Sequence, residues 1–447
     1  MNLIRKWIFL PVEVKSRDLI PKLLFSDLAS REGYGIFIGR NGMNISRDKF
    51  PQGIYFDKCL SPHKIGAHRL QVETFGNTLV SLDEEGFIVD GRSHAEGRFT
   101  QESIDLTSVI FTWGAEEASF ISDRYRVTEK ICVSGSPRID SWRPEMNHLF
   151  NIEIEDIKRR FGNFILVNSD GFGAPILPED RYSDSEKRNF QIQSEIRRKF
   201  LELIGRIAID FPSRNVVLRP HPGEELGLWT SLESRLPSNV RIILEGSVSP
   251  WIRASSLLIH HCCTTAVEAW IGGTPTISYE PPLDGYPDYE PFHKLPSALS
   301  LRASSQNEVL SIIKDGFSNV SLSCPAQHAV AEKHFHFDTH MLASQKIISK
   351  LNELSIQESD YYLPSFTAWK KFRSFVGRAK YCISDLWDAN HIPMSYNLQK
   401  NPGMNLGEIT NLTDRIQLDK EQHSSPLSVH QVDVDTFCLF RAQKETS

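Results

Sequence analysis

Short apolar runs alternate along the chain with longer stretches in which apolar side chains recur every three or four positions, as in parallel strands joined by crossover helices. Trp7, Ile8, Phe9 and Leu10 form the first such run. Leu19, Ile20, Leu23, Leu24 and Leu28 then share one side of a helix capped by Ser16 or Asp18, and Gly33 stops it. Residues 34–38 give a second strand leading into Gly39-Arg40-Asn41-Gly42, so the chain begins β-α-β. Runs at 53–56, 78–82, 108–112 and 130–133 continue the pattern around a helix near 115–122, and Ser134-Gly135-Ser136-Pro137-Arg138-Ile139-Asp140 closes a first domain.

A polar, irregular piece at 143–162 reads as the connection to a second domain of the same kind. That domain opens with a strand over 163–168 and a flexible turn, Ser169-Asp170-Gly171-Phe172-Gly173, before a long helix over 183–210. Further strands fall at 215–218, 241–244, 257–260 and 276–279. Gly246-Ser247-Val248-Ser249-Pro250-Trp251 starts a helix with a serine cap and an early proline. Thr264 or Thr265 caps another, which runs through Val267, Glu268, Ala269 and Trp270 to Gly272-Gly273. The expected fold is α/β: two Rossmann-like domains, 1–150 and 151–355, facing across a cleft, with a proline- and tyrosine-rich loop at 284–296 lying over it.

The tail, 356–447, differs in character. Phe366, Trp369, Phe372, Val376, Ala379, Ile383 and Leu386 recur at helical spacing, and Lys370, Lys371, Arg373, Arg378 and Lys380 add charge with no acid before Asp385. Such a helix, 366–387, suits an anionic membrane surface, or equally a docking face on the protein itself or a partner. Much of the polar, loop-rich stretch 390–447 is expected to be loosely ordered.

With 447 residues, 40% of them hydrophobic, the chain can fill two cores. A formal net charge of -6 argues against general nucleic-acid binding. Cysteines at 59, 132, 262, 263, 324, 382 and 438 share no repeated spacing, which points away from a disulfide framework and towards a reducing cytoplasm. Residues 7–12 are too short for a signal core, and no window is long and apolar enough for a membrane span.

Candidate chemistry gathers in a few turns. Arg219-Pro220-His221-Pro222 follows a strand, its prolines fixing where Arg219 and His221 point. Thr264 and Thr265 open a helix whose free N–H groups and positive dipole end suit a phosphate, and Glu268 lies one turn in, placed for sugar hydroxyls. Asp83-Glu84-Glu85-Gly86 ends another strand. Three adjacent carboxylates repel one another, which favours general acid or base work, although acids before glycine also occur in plain solvated turns. Arg138 sits among small residues that allow close backbone approach. The glycines do not form GxGxxG, so no NAD or FAD is expected. His260-His261-Cys262-Cys263 does not read as a metal site, because successive strand residues point to opposite faces.

Glu84-Glu85-Gly86 and His221-Pro222 resemble the acidic and His-Pro motifs of bacterial sialyltransferases and of capsule transferases for 3-deoxy-octulosonic acid. More broadly, Leu10-Pro11-Val12-Glu13-Val14-Lys15-Ser16-Arg17, Leu82-Asp83-Glu84-Glu85-Gly86, Gly135-Ser136-Pro137-Arg138, Arg219-Pro220-His221-Pro222 and Thr264-Thr265-Ala266-Val267-Glu268-Ala269 together look like the bacterial surface-carbohydrate biosynthesis family, over about residues 6 to 350. The resemblance implies a glycosyltransferase-B fold and metal-independent transfer of an ulosonic acid from a CMP-linked donor to a lipid-linked or oligosaccharide acceptor at the inner face of the cell membrane. It implies Glu84 as the base or nucleophile, with Asp83 and Glu85 beside it, and His221 as donor to the departing phosphate. Arg219 would add fixed charge, Thr264 and Thr265, or Ser247 and Ser249, would hold phosphate, and Arg138 would meet the donor carboxylate. A CDP-glycerol-type glycerophosphotransferase and a UDP-sugar epimerase are the alternatives.

Overall fold

The computed structural model describes residues 4–40, 50–86, 96–169, 182–221, 224, 226–290, 294–316, 324–338, 340–359, 361, 400–417 and 425–441. The helix expected over 366–387 lies outside the described residues. The chain divides into two compact units, Met1–Ser141 with Glu332–Ser447, and Trp142–Ala331. No described helix is long and apolar enough to cross a membrane.

In the first unit, strands β1 (Lys6–Val12), β2 (Tyr34–Arg40), β3 (Ile54–Asp57), β4 (Thr78–Leu82), β5 (Thr107–Thr112) and β6 (Ile131–Val133) pair in the parallel order β2-β1-β3-β4-β5-β6. Central parallel strands are covered on both faces, and β1 and β2 accordingly read as near-continuous apolar runs. Phe9 and Phe37 are register partners whose rings stack at 5.2 Å, and Trp7 stacks on Phe37 at the same distance. A side chain at Gly35 would meet the Trp7 ring at 2.4 Å, so this glycine makes room for the indole. Chain order reverses at β1: α1 (Lys15–Arg31) carries the chain to β2 on one side, and β3 returns on the other. The carboxyl ends of β1 and β3 therefore bound a topological switch point, the crevice where open α/β sheets bind ligands.

Neither residue expected to cap α1 does so. Val14 holds the cap position, and Asp18 in the first turn reaches back to accept from its N–H at 2.9 Å, satisfying one donor at the helix start.

The second unit repeats the plan. Strands β7 (Phe164–Asn168), β8 (Asn215–Arg219), β9 (Val240–Ile242), β10 (Leu257–His260), β11 (Thr276–Tyr279) and β12 (Leu301–Ala303) form a parallel sheet in the order β12-β11-β10-β7-β8-β9. Counted from β7, this is the doubly wound order 3-2-1-4-5-6, with the switch point between β7 and β10. The long helix α2 (Asp184–Asp210) begins with a capping box between Ser183 and Glu186 and buries Ile192, Ile196, Phe200, Leu203 and Ile207 against the sheet. Each such side chain contributes about 1.5–3 kcal/mol.

Three expectations change. The stretch read as an irregular connection is helical, with a 3-10 turn at Pro144–Phe150 and an α-helix at Asn151–Phe161. It belongs to the second unit, where Phe161 packs on Trp251 with ring centroids 5.4 Å apart, and the units part at 141/142 rather than at 150. Part of the tail is ordered in the first unit: a helix at Leu406–Ile416 and the hairpin β13 (Leu427–Asp433) and β14 (Thr436–Arg441) join it. β14 pairs antiparallel with β2, Phe437, Cys438 and Leu439 are fully buried, and Arg441 meets Asp27 of α1 at 2.5 Å. In the loop over 284–296, Tyr286 and Tyr289 pack against the core of the second unit. Residues 291–293 of that loop lie outside the described residues.

Candidate functional site

In both units the candidate residues lie beyond the carboxyl ends of parallel strands. In the first unit the carboxyl ends of β1, β3 and β4, the first half of α1 and the turn at Ser136 to Arg138 enclose a small pocket lined by Asp18, Lys22, Asp57, Lys58, Glu84 and Arg138. Phe25, Phe56 and Leu82 supply apolar wall beside these charges.

The acidic turn separates its carboxylates instead of letting them repel. Asp83 is held by Arg98 through Nε at 2.6 Å and Nη2 at 2.7 Å, and Glu85, half exposed, takes Nη1 of the same guanidinium at 2.9 Å. The backbone carbonyl of Asp83 also accepts from the Trp113 indole at 2.6 Å. Only Glu84 of the three lines the pocket, 7% exposed, with Lys22 Nζ at 2.8 Å from Oε1. Lys22 donates to the Pro11 carbonyl at 2.6 Å as well, tying α1 to the ends of β1 and β4. Arg138 comes to the same place, donating to the Glu84 carbonyl at 2.9 Å with its guanidinium over the Trp113 ring.

Two further acids complete the wall. Burial alone would raise the Asp18 pKa, but the charges of Arg17 and Lys22 and the Arg17 hydrogen bond, 2.6 Å long, hold it well below the carboxylate range. Asp57 is lowered in the same way, against burial, by His68 at 2.7 Å and by Lys64. Lys58 pairs with Glu13.

Asp18, Lys22, Asp57 and Lys58 were not expected as site residues; Asp18 was read only as a helix cap. The available signal was the spacing of Asp18 and Lys22, one helical turn apart and both just after the first strand, which a search for apolar periodicity passes over. Replacing Lys22 by methionine leaves Glu84 enclosed without its cation, and urea denaturation is expected to show a loss of about 2–3 kcal/mol. An unchanged midpoint would mean that water solvates Glu84 once the ammonium is gone.

In the second unit the two phosphate-friendly turns are tied to consecutive residues at the end of β7. Asn168 Nδ2 donates to Thr265 Oγ1 at 2.9 Å across the switch point, and Ser169 Oγ accepts from the His221 backbone N–H at 2.8 Å. The His221 side chain is exposed. Thr264 occupies the cap position of α4 (Thr265–Gly272), half buried and with no side-chain capping bond, and Thr265 Oγ1 donates to Cys263 Sγ at 3.1 Å.

Arg219 does not present its charge outwards. It is buried over the Trp251 ring, with Nη1 and Nη2 donating to the Glu245 and Gly246 carbonyls at 2.8 and 3.0 Å, and burial pulls its pKa down to about 10. Its guanidinium fixes the end of β8 against the next turn. Glu268 is buried against Arg253 at 3.1 Å. Arg253 also donates to the Ser249 carbonyl and to Asn147 Oδ1, and lies over Phe150. The expected serine cap is displaced: Val248 holds the cap position of α3 (Ser249–Ala254), and Ser247 Oγ only approaches the Ser249 N–H at 3.4 Å.

The adjacent histidines serve the fold. His260 Nε2 meets Ser300 Oγ at 2.9 Å and its Nδ1 accepts from the Cys263 N–H at 3.3 Å, while His261 bonds the Tyr279 carbonyl and the Tyr289 hydroxyl. Cys262 between them and the helix sits in the left-handed region at φ 53°. Among the described residues no group of three or more His, Cys, Asp or Glu is placed to hold a metal ion.

Burial, with the neighbouring His261, lowers the His260 pKa from 6.5 to about 3. The unfolded chain then binds more protons than the folded one across that interval, so the contribution to stability is whole above pH 6.5 and is lost as pH falls towards 3. His260→Gln is expected to shrink the difference between urea midpoints at pH 7 and pH 4.5, without removing it, because burial lowers His261 too. An unaltered difference would place the acid sensitivity elsewhere.

The class defined by these observations is a doubly wound α/β protein with two parallel-sheet units, each presenting polar side chains at its switch point. No protein-family model matches the chain, and no curated protein is similar to it in sequence. Among solved structures it is similar to UDP-GlcNAc 2-epimerase of Methanocaldococcus jannaschii in complex with UDP-GlcNAc and UDP, at 12% identity and a TM-score of 0.48, over 77% of this chain and 99% of that one. It is similar at 12% and 0.46 to the Neisseria meningitidis UDP-GlcNAc 2-epimerase bound to UDP-GlcNAc, over 78% and 100%. The Anabaena protein HepE in complex with UDP-glucose gives 12% and 0.43, again over 78% and 100%.

Proposed function

We propose that the protein is a glycosyltransferase of bacterial surface-polysaccharide biosynthesis that takes a sugar from a nucleotide-linked donor. The observation that carries this reading is the pair of turns joined to Asn168 and Ser169: an exposed imidazole and a threonine-led helix start, both anchored at the end of β7. Such a corner suits the phosphate of a nucleotide. Arg219, turned to backbone carbonyls, shapes this corner without presenting its own charge to it, and a CMP-linked ulosonic acid, with its single phosphate, is the donor we assign. In the transfer, the bond from the anomeric carbon to the phosphate oxygen breaks as the bond to the acceptor hydroxyl forms. Thr264, Thr265 and His221 stabilise the departing phosphate. Glu84 takes the acceptor proton, or attacks the sugar first if configuration is retained.

A second reading, an acceptor-independent reaction such as epimerisation of a UDP-sugar, is favoured by one feature. Glu84 is only 7% exposed, which leaves a large glycan acceptor little access. Purified protein incubated with CMP-ulosonates, CDP-glycerol and UDP-sugars, with and without an oligosaccharide acceptor, separates the two. Acceptor-dependent release of CMP is the expected result. Turnover of a UDP-sugar alone, without an acceptor, would establish the second reading and remove the first.

A further inference from the structure

The turn that carries His221 rests on a set of buried hydrogen bonds. Ser169 N donates to the Arg219 carbonyl at 3.1 Å, Glu224 N donates to the His221 carbonyl at 2.9 Å, and the His221 N–H donates to Ser169 Oγ at 2.8 Å. Ser169 Oγ in turn donates to Glu224 Oε1 at 2.7 Å, and the Trp229 indole donates to Glu224 Oε2 at 2.6 Å. Ser169, Glu224 and Trp229 are 2%, 4% and 1% exposed, whereas His221 is an exposed residue.

A carboxylate beneath a short surface turn is costly unless both oxygens are satisfied, and a plain loop has no need of one. Here both oxygens are satisfied, and the hydroxyl bound to the carboxylate is the one that receives the His221 N–H. We infer that Ser169 and Glu224 are positioning residues for His221: together they fix the backbone from which the imidazole projects, without touching the ligand themselves. The inference rests on the reading of His221 as a phosphate-binding group and extends it to the support beneath.

Titration calorimetry with CMP and with UDP on the full-length chain, Ser169→Ala, His221→Ala and the double variant tests this. Ser169→Ala is expected to weaken CMP binding about tenfold, the usual result of losing one hydrogen bond in such a network. In the His221→Ala background the same change is expected to add less than about twofold, because its effect passes through the ring already removed. If His221→Ala weakens binding and Ser169→Ala does not, the inference falls and the reading of His221 stands. Equal losses from Ser169→Ala in both backgrounds also overturn it, since they would show a structural effect independent of His221. If neither nucleotide binds, or His221→Ala binds as the unaltered chain does, both fall. Should Ser169→Ala fail to fold, Trp229→Phe, which withdraws the indole donor from Glu224 while keeping an aromatic ring in the core, carries the same comparison.

Discussion

Glu84→Gln is expected to lower the rate of sugar turnover by about 10²–10⁴-fold, the range for removal of a positioned general base, while leaving CMP affinity within about twofold. The glutamine keeps the shape of the side chain, and its oxygen still accepts from the Lys22 ammonium, which lies 2.8 Å from Oε1 in the native protein. The loss would therefore be one of chemistry, not of folding. The neighbouring acids serve as the control. Asp83→Asn breaks a two-pronged bond to Arg98 and is expected to reduce stability, and Glu85→Gln removes a half-exposed partner of the same guanidinium with little effect on either property. Steady-state rates and calorimetry on the three variants decide the matter. A Glu84→Gln enzyme with undiminished turnover would take this carboxylate out of the mechanism.

The largest effect on stability is expected at Arg253. Its side chain and that of Glu268 are 3% and 6% exposed and meet at 3.1 Å. Removing one partner of such a pair strands the other charge, at a cost of about 3–5 kcal/mol. Arg253→Met should show that loss in urea denaturation, and the double variant with Glu268→Leu should recover much of it, because a well-packed apolar pair can replace a buried ionic one. A loss below about 1 kcal/mol would show that Glu268 reaches water or another donor when the guanidinium is gone. The pair also bears on function, since Glu268 is the residue expected to receive sugar hydroxyls: held by Arg253, it is fixed before any ligand arrives.

The strands were legible because central parallel strands must be apolar on both faces, and β1, β4, β7, β8, β10 and β11 all show it in sequence. The end-of-strand location of Glu84, His221, Thr264 and Thr265 followed directly. What each side chain does there was not legible. Arg219 reads as a ligand cation until the Glu245 and Gly246 carbonyls are seen to occupy it, and these lie in a turn 26 and 27 residues further along. The three carboxylates read as mutually repelling until Arg98 is placed between Asp83 and Glu85. β14 was hidden for a different reason: Phe437, Cys438 and Leu439 are a short apolar run in a polar stretch, and only the edge of β2 makes them a strand.

That last pairing bears on how the polypeptide matures. Translation delivers Trp142–Ala331 as an uninterrupted piece, free to fold as it emerges, whereas the sheet begun at Lys6 stays unfinished until the residues around 436–441 have left the ribosome. Any shortened version ending before that point would leave the outer rim of β2 bare, its amides and carbonyls open to pairing with another molecule. Shortening the chain to ask whether 366–387 binds a membrane would then report clumping as readily as release, so that question is better put by neutralising Lys370, Lys371 and Arg373 in the intact chain.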